Sequence, residues 1–251
     1  MKFLQNNSRF LGTGENNQKG QSLDTFLENY DPKKYDCPCN TVDILVFRLL
    51  RNTGDKTPRL KLLMIRRGNH PSIGSWALPG GFVNLRENLE DAAARELEEE
   101  TGVHRKDLIQ LKTYGDYDRD PRWRVITTAY IAVLDEDTPV RGGDDAADAV
   151  WMDVQLTREV PAPDSSPAPG TVLYTLTLNC PERSASGRSG PERSASGHSL
   201  KLNAVVEETS VTSGLLHSKL RKLISADGIA SDHGLIITEA VLLLKQQLMN
   251  S

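Results

Sequence analysis

This sequence of 251 residues has few cysteines, no secretory leader pattern and no apolar run long enough to cross a bilayer. Its three cysteines, Cys37, Cys39 and Cys180, form an odd set that cannot pair completely. Cys37 and Cys39 also lack the paired spacing, and the downstream Cys or His pair, of a zinc site. We therefore expect free thiols in a reducing cytoplasm, and no membrane partner.

The chain also lacks an excess of positive charge. Its 30 Lys and Arg residues against 34 Asp and Glu residues leave a formal net charge of -4 and a pI near 5.8. Nucleic-acid binding needs Lys and Arg clustered against the phosphate backbone. We therefore expect a small-molecule partner and no nucleic acid. The hydrophobic content of 38% is typical of a globular protein with one sizeable core or two small ones.

Patterning predicts a hairpin followed by a helix. Residues 41–50 and 60–66 are apolar, rich in β-forming residues, and separated by a polar stretch containing Gly and Pro, so we expect them to pair in a buried sheet. A helix is predicted over residues 89–101. Asn88 is a candidate cap at its start, and Gly102 is a plausible end.

The predicted helix carries three acidic residues on one face. Glu96, Glu99 and Glu100 stand at i, i+3 and i+4, where like charges repel unless a cation lies among them. Carboxylate oxygens completed by water suit magnesium or manganese, and no His or Cys lies nearby to favour zinc. Most Glu-rich runs are solvated acidic helices, so these acids alone leave that interpretation open.

The spacing around these acids favours the metal site. A Gly is followed after five residues by Glu, and after seven more by Arg-Glu-aliphatic-any-Glu-Glu-any-Gly-aliphatic. This pattern resembles the signature of the Nudix hydrolase family at every fixed position. Those positions are Gly81, Glu87, Arg95, Glu96, Leu97, Glu99, Glu100, Gly102 and Val103.

The resemblance implies both a fold and a metal site. The fold is of the α/β class, an α/β/α sandwich around a mixed sheet. The implied ligands of Mg2+, or alternatively Mn2+, are the backbone carbonyl of Gly81 and the carboxylates of Glu96, Glu99 and Glu100. Arg95 and Glu87 would orient these carboxylates through ion pairs and hydrogen bonds. The metal would polarise a phosphoryl oxygen and help to generate hydroxide from bound water.

The proton acceptor for that water is a separate question. The three glutamates are catalytic candidates, and so are Asp144 and Asp145. These two aspartates lie in a Gly-Gly-Asp-Asp-Ala segment that resembles the one before the last sheet strand of ADP-ribose-type Nudix proteins. A simple turn is an equally open interpretation of that segment.

The substrate expectation rests on an Arg-Asp-Pro-Arg segment that resembles the one in ADP-ribose pyrophosphatases. The candidates for binding the diphosphate or the terminal ribose are Arg119, Arg122 and Arg124. A guanidinium group can donate two parallel hydrogen bonds to the oxygens of one phosphate. Trp123 replaces the smaller residue common there, and either stacks on the base or packs. The alternative for the arginines is surface ion pairing with the neighbouring aspartates, Asp116, Asp118 and Asp120.

The rest of the chain is divided by composition. We expect an N-terminal extension without stable structure over residues 1–21, the Nudix catalytic domain over 22–158, a linker with an inserted β-hairpin over 159–228, and a closing helix within 229–251. The hairpin strands are predicted at 171–178 and 199–207, and a helix at 215–225. Within the low-complexity loop 179–199, the sequence Pro-Glu-Arg-Ser-Ala-Ser-Gly begins at Pro181 and again at Pro191.

The resemblance also leaves alternatives for function. Some Nudix relatives are transcriptional regulators that sense ADP-ribose and carry a winged-helix domain after the closing helix. The sequence ends at that helix, and its acidic charge and intact signature favour an enzyme. Other family members act on oxidised nucleoside triphosphates or dinucleotides. By analogy we expect a homodimer. We expect Trp76 to pack, and His233 to cap or pack, with a catalytic role as its alternative.

Overall fold

The computed structural model describes residues 3–4, 6–50, 59–134, 146–162, 170–180 and 200–250. The chain divides into two compact units, Met1–Pro38 and Cys39–Ser251. The first contains a short 3-10 helix, Ser8–Phe10, and helix α1, Leu23–Glu28, which begins where the Ser22 hydroxyl accepts the Thr25 amide. Within the described ranges no helix is both long enough and apolar enough to cross a bilayer.

The second unit is built on a ten-stranded sheet in the order β10-β9-β8-β7-β2-β1-β6-β5, with the short β3 beside β2 and β4 beside β1. Only β1 and β6 pair in parallel among the described strands; the remaining pairs are antiparallel. The strands are β1 Cys39–Leu50, β2 Arg59–Arg67, β3 Trp76–Ala77, β4 Gly80–Phe82, β5 Ile109–Tyr114, β6 Val125–Leu134, β7 Ala146–Glu159, β8 Val172–Asn179, β9 Lys201–Ser213 and β10 Leu216–Asp227.

Helices cover both faces of the central strands. Strand β1 alternates between them: Ile44 and Val46 pack in the cluster of helix α2, Leu89–Thr101, whereas Leu45 and Phe47 pack in the cluster of helix α3, His233–Met249. A strand buried on both faces is apolar throughout, which is why β1 is almost continuously hydrophobic. The predicted α/β/α sandwich around a mixed sheet is confirmed.

Helix α2 has the predicted bounds. It presents Ala93 and Leu97, both fully buried, to the sheet. Gly102 adopts the left-handed conformation at its end, with a φ of 69°. Asn88 is the first flanking residue, but its side chain donates to Asp91 at 3.0 Å and makes no capping bond to the backbone.

The C-terminal region contains three strands where the sequence predicted two strands and a helix. The hairpin of β8 and β9 is present, but the helix expected over residues 215–225 is wrong, because this segment is β10 and pairs along β9. Leu216, Leu220 and Leu223 have the spacing of a helix, but pairing along β9 satisfies the backbone groups of its otherwise open edge. The repeated segments beginning at Pro181 and Pro191 lie outside the described residues.

Side chains of the two edge strands, β5 and β10, contact the same residue of α3, Glu239, so the sheet curls around that helix. The Glu239 carboxylate accepts a 2.7 Å hydrogen bond from the Tyr114 hydroxyl and is bonded by Lys112, both on β5. On the other side, Arg221 of β10 lies 3.6 Å from Glu239 and 2.7 Å from the buried Glu208. Side chains therefore connect β5 to β10 where no backbone ladder does.

Removing the Tyr114 hydroxyl should weaken this connection. Tyr114→Phe leaves the buried Glu239 carboxylate with one donor fewer, and hydrogen bonds to charged groups contribute about 1.5–3 kcal/mol. We expect the free energy of unfolding in urea to fall by about that amount. The matched control is Tyr117→Phe, because that ring is exposed. Equal stabilities of the two variants would show that the Tyr114 hydroxyl contributes nothing.

Candidate functional site

The signature begins where the chain bends from β3 into β4, at residues 78–81, a segment called the glycine turn. Gly81 pairs with Val42 of β1, and Gly80 comes so close to the same strand that a Cβ there would collide with the Val42 carbonyl oxygen. A Cβ on Gly81 would lie 2.5 Å from the Glu96 carboxylate. Glycine at both positions therefore lets the backbone approach β1 on one side and an acidic side chain of α2 on the other.

Arg95 connects three of the signature acids. Its guanidinium donates to both oxygens of Glu87, at 2.8 and 2.9 Å, to Glu96 at 2.6 Å and to Glu99 at 3.1 Å. It also donates to the carbonyl of Phe82. The hydrogen bonds from Arg95 lower the pKa of Glu87 to about 2. This residue thus fixes the start of α2 relative to β4.

Glu100 is less exposed than Glu98 and Glu99. One carboxylate oxygen accepts the Gly80 amide at 2.8 Å. Burial raises the pKa of Glu100 to about 7, and the negative charges of Glu96 and Asp43 add to the rise. Burial also raises the pKa of Glu96, although Arg95 opposes it. The turn is therefore surrounded by carboxylates that favour a further positive charge.

This donor set fits a divalent cation, but the side chains are not gathered around one point. Among the described residues no three His, Cys, Asp or Glu side chains converge as a metal site. Arg95 holds Glu96 and Glu99, while Glu100 is turned to the Gly80 amide. Oxygen donors with raised pKa values and no sulfur or imidazole ligand suit Mg2+ or Mn2+. The residues that would hold it are Gly81, Glu96, Glu99 and Glu100.

The metal-free protein should lose stability as the pH rises from about 5 to about 8. The pKa of Glu100 is about 7 in the folded chain against 4.5 ordinarily, so in this range the folded state binds more protons than the unfolded state, and stability falls with rising pH. The full shift is worth on the order of 3 kcal/mol. Denaturant unfolding at a series of pH values, with a chelator present, measures this change in stability. Glu100→Gln should make the free energy of unfolding depend less steeply on pH. An equal pH dependence in both proteins would contradict the raised pKa of Glu100.

A cavity of about 210 Å³ opens beside the glycine turn. Its wall includes Gly80 and Gly81, the start of α3 and the segment before β6. The charged or ionisable residues that line it are Asp43, Arg67, Arg119, Asp120 and His233. Both signs of charge are present, and no aromatic ring apart from the imidazole belongs to this wall as the structure describes it.

Of the four residues predicted to bind substrate, only Arg119 lines this cavity. Its side chain is 6% exposed, and it donates two 2.9 Å hydrogen bonds to Asp232, just before α3. Asp43 lies 3.6 Å away. Although burial opposes it, pairing with Asp232 and Asp43 raises the pKa of Arg119. The hydrogen-bonding partner of Arg119 is therefore Asp232, which is 113 residues away along the chain, and not one of the neighbouring aspartates that were its expected alternative partners.

The other three substrate candidates lie outside the cavity wall. Arg122 pairs with Asp120 through two hydrogen bonds and lies over the Phe82 ring, 5.3 Å from its centre. Arg124 donates to the carbonyl of Asp116. Trp123 is 56% exposed. Asp144 and Asp145 lie outside the described residues.

Sequence reasoning missed Asp43 and Arg67, and it predicted that His233 caps or packs, with a catalytic role as the alternative. Asp43 interrupts the apolar run of β1, and a buried acid in a central strand is a signal that was available. His233 accepts a hydrogen bond from the Leu78 amide at 2.9 Å, which no local pattern reveals. Trp76 is buried in the core, as predicted.

The fold and this signature define the chain as a member of the Nudix family, since the NUDIX domain matches residues 40–172. The chain is 43% identical over 95 residues to the ADP-ribose pyrophosphatase of Methanocaldococcus jannaschii, covering 38% of this chain and 55% of that protein. It is 37% identical over 115 residues to the ADPR responsive transcriptional repressor NtrR of Acinetobacter baylyi, covering 45% and 44%. The chain thus spans about half the length of these relatives.

The structural comparison extends further along the chain. A MutT/nudix family protein from Enterococcus faecalis superposes with a TM-score of 0.57 and 28% identity, covering 90% of this chain and 70% of that one. The similarity therefore reaches beyond the residues that the NUDIX domain matches. The predicted family is confirmed, with an ADP-ribose pyrophosphatase and an ADP-ribose-responsive repressor among its relatives.

Proposed function

We propose that this chain is a Mg2+-dependent hydrolase of the diphosphate bond in a nucleoside diphosphate linked to another group, with ADP-ribose converted to AMP and ribose 5-phosphate as the favoured reaction. Mn2+ is the alternative metal. The observation that carries the proposal is the half-buried pair Glu96 and Glu100 at the glycine turn, which borders a cavity that contains Arg67 and Arg119.

The positively and negatively charged residues of the cavity suit different parts of the substrate. Arg67 donates through Nε to the Pro71 carbonyl at 2.8 Å, which fixes its guanidinium at the cavity wall for a phosphate oxygen. Arg119 is held by Asp232 and adds fixed positive charge. Asp43 and Asp120 offer acceptors for sugar hydroxyls. A divalent cation at the glutamates would polarise the phosphoryl oxygen and activate water.

Proton transfer from that water needs a carboxylate near the turn. Glu99 is the most exposed of the three α2 glutamates named as ligands, with its side chain 57% accessible, and Glu100 lies beside the Gly80 amide. Either carboxylate is a candidate to accept the proton. Asp144 and Asp145 also remain candidates for this role.

A substrate panel tests the proposal. Purified protein with MgCl2 is incubated with ADP-ribose, NADH, diadenosine polyphosphates, nucleoside diphosphate sugars and oxidised dGTP, and the products are separated by chromatography. We expect AMP and ribose 5-phosphate from ADP-ribose, at the highest rate of the panel. Faster cleavage of oxidised dGTP or of the dinucleotides would replace ADP-ribose with that substrate while keeping the hydrolase.

The second candidate function is sensing of ADP-ribose without catalysis. The similarity to a repressor favours it. A sensor would bind ADP-ribose and leave it intact in the presence of Mg2+ and of Mn2+. The homodimer and the cytoplasmic setting remain predictions.

A further inference from the structure

Residues 228–233, near the C-terminus, form hydrogen bonds with residues 76–78, which lead into the signature. Residues 228–230 form a bridge to Trp76, whose amide donates to the Gly228 carbonyl and whose carbonyl accepts the Ala230 amide, both at 2.8 Å. Two residues further along, the Leu78 amide donates to Nδ1 of His233 at 2.9 Å. Three hydrogen bonds thus connect the start of α3 to residues 76–78, some 150 residues earlier.

The imidazole of His233 is held in one orientation. Because Nδ1 accepts the Leu78 amide, the neutral ring carries its proton on Nε2. That nitrogen faces Asp43, 3.7 Å from one carboxylate oxygen. The other Asp43 oxygen accepts the Thr127 hydroxyl at 2.7 Å and lies 3.6 Å from Arg119. The ring is buried, so water does not readily replace it as the acceptor.

The turn beyond Leu78 is fixed on its other sides by the core and by α2. The Pro79 carbonyl accepts the Ile44 amide at 2.8 Å, and the Gly80 amide donates to Glu100 at 2.8 Å. The position of the Gly81 carbonyl follows from these contacts. His233 supplies the remaining side-chain anchor, from outside the signature.

We infer that His233 is a positioning residue, which uses Nδ1 as an acceptor to hold the Leu78–Gly81 turn where Gly81 and Glu100 act. This inference rests on the proposed function for its effect on turnover, but not for its effect on the turn. Its chemistry is a hydrogen bond to the backbone, with no proton transferred to substrate. The C-terminal helix thereby becomes part of the active site, although it contributes no metal ligand.

Three variants test this role. His233→Leu keeps a buried side chain of similar size but removes the acceptor. His233→Asn retains an acceptor, because its amide oxygen occupies a position close to that of Nδ1. Ile237→Val, one turn along α3, is the matched control for a packing change that leaves the His233 hydrogen bond in place. Amide hydrogen exchange of Leu78 by NMR, Mn2+ affinity by electron paramagnetic resonance, and kcat and KM for ADP-ribose are measured for each.

For His233→Leu we expect exchange of the Leu78 amide to accelerate about tenfold, Mn2+ to bind more weakly, and kcat to fall about ten- to a hundredfold with KM changed less. His233→Asn should recover most of these losses, and Ile237→Val should lower only the melting temperature. Unchanged Leu78 exchange and Mn2+ affinity in His233→Leu would overturn the inference. Wild-type protein that fails to cleave ADP-ribose would instead overturn the proposed function, since exchange and Mn2+ binding still report on His233.

Discussion

Glu100→Gln should lower turnover of ADP-ribose by about three orders of magnitude or more while the fold survives. The amide keeps an oxygen that can accept the Gly80 amide, so the contact that holds the turn is preserved. What is lost is a negative charge beside Glu96, at a half-buried position where solvent screens the charge of a metal ligand less than at the surface. Glu99→Gln should act in the same direction.

The same helix supplies a matched control. Glu98 is exposed and pairs with His104 on the surface, so Glu98→Gln removes an equal charge from α2 without touching the turn. Steady-state kinetics and circular dichroism are measured on all three variants. Near-normal turnover in both Glu99→Gln and Glu100→Gln would contradict the metal-site assignment, whatever the behaviour of the control.

Arg119→Met should produce the largest loss of stability among the cavity variants. The methionine fills much of the same volume, but Asp232 loses two hydrogen bonds and the buried Asp43 loses a nearby positive charge. Breaking a buried pair on one side costs about 3–5 kcal/mol. We expect a fall of that size in the free energy of unfolding, measured in urea at pH 7.

Two comparisons make this prediction specific. Arg122→Met removes a more exposed ion pair with Asp120 and should cost at most about 1 kcal/mol. Adding Asp232→Asn to Arg119→Met removes one of the carboxylates left without the arginine, and should restore part of the lost free energy of unfolding. If Arg119→Met were as stable as the wild type, Asp232 would not be paired with Arg119 in solution.

The central sheet and α2 were predictable because their signals are local. The apolar run of β1 and the pattern of Ala93 and Leu97 against acidic neighbours specify a buried strand and an amphipathic helix. The bounds of α2 followed from its last turn, where Gly102 supplies a left-handed residue. The acids that line the glycine turn were found for the same reason, since helical spacing places them on one face.

The rest depended on distant partners. Strand β10 was mistaken for a helix because its own residues allow both, and pairing with β9 decides. The partner of Arg119 is 113 residues away, and that of Leu78 is 155 residues away, so neither contact has a local signature. The hydrogen bonds from Arg95 to Glu96 and Glu99, by contrast, were expected from the resemblance to the Nudix signature.

Turnover of ADP-ribose separates a hydrolase from a sensor. The most direct test is to incubate purified protein with an excess of ADP-ribose and Mg2+, follow the products by chromatography, and measure ADP-ribose affinity by calorimetry with the Glu100→Gln variant. We expect many equivalents of AMP and ribose 5-phosphate per protein, abolished by a chelator, with binding retained in the variant. Tight binding of ADP-ribose by the wild type, without product after prolonged incubation with Mg2+ or Mn2+, would contradict it and identify a sensor.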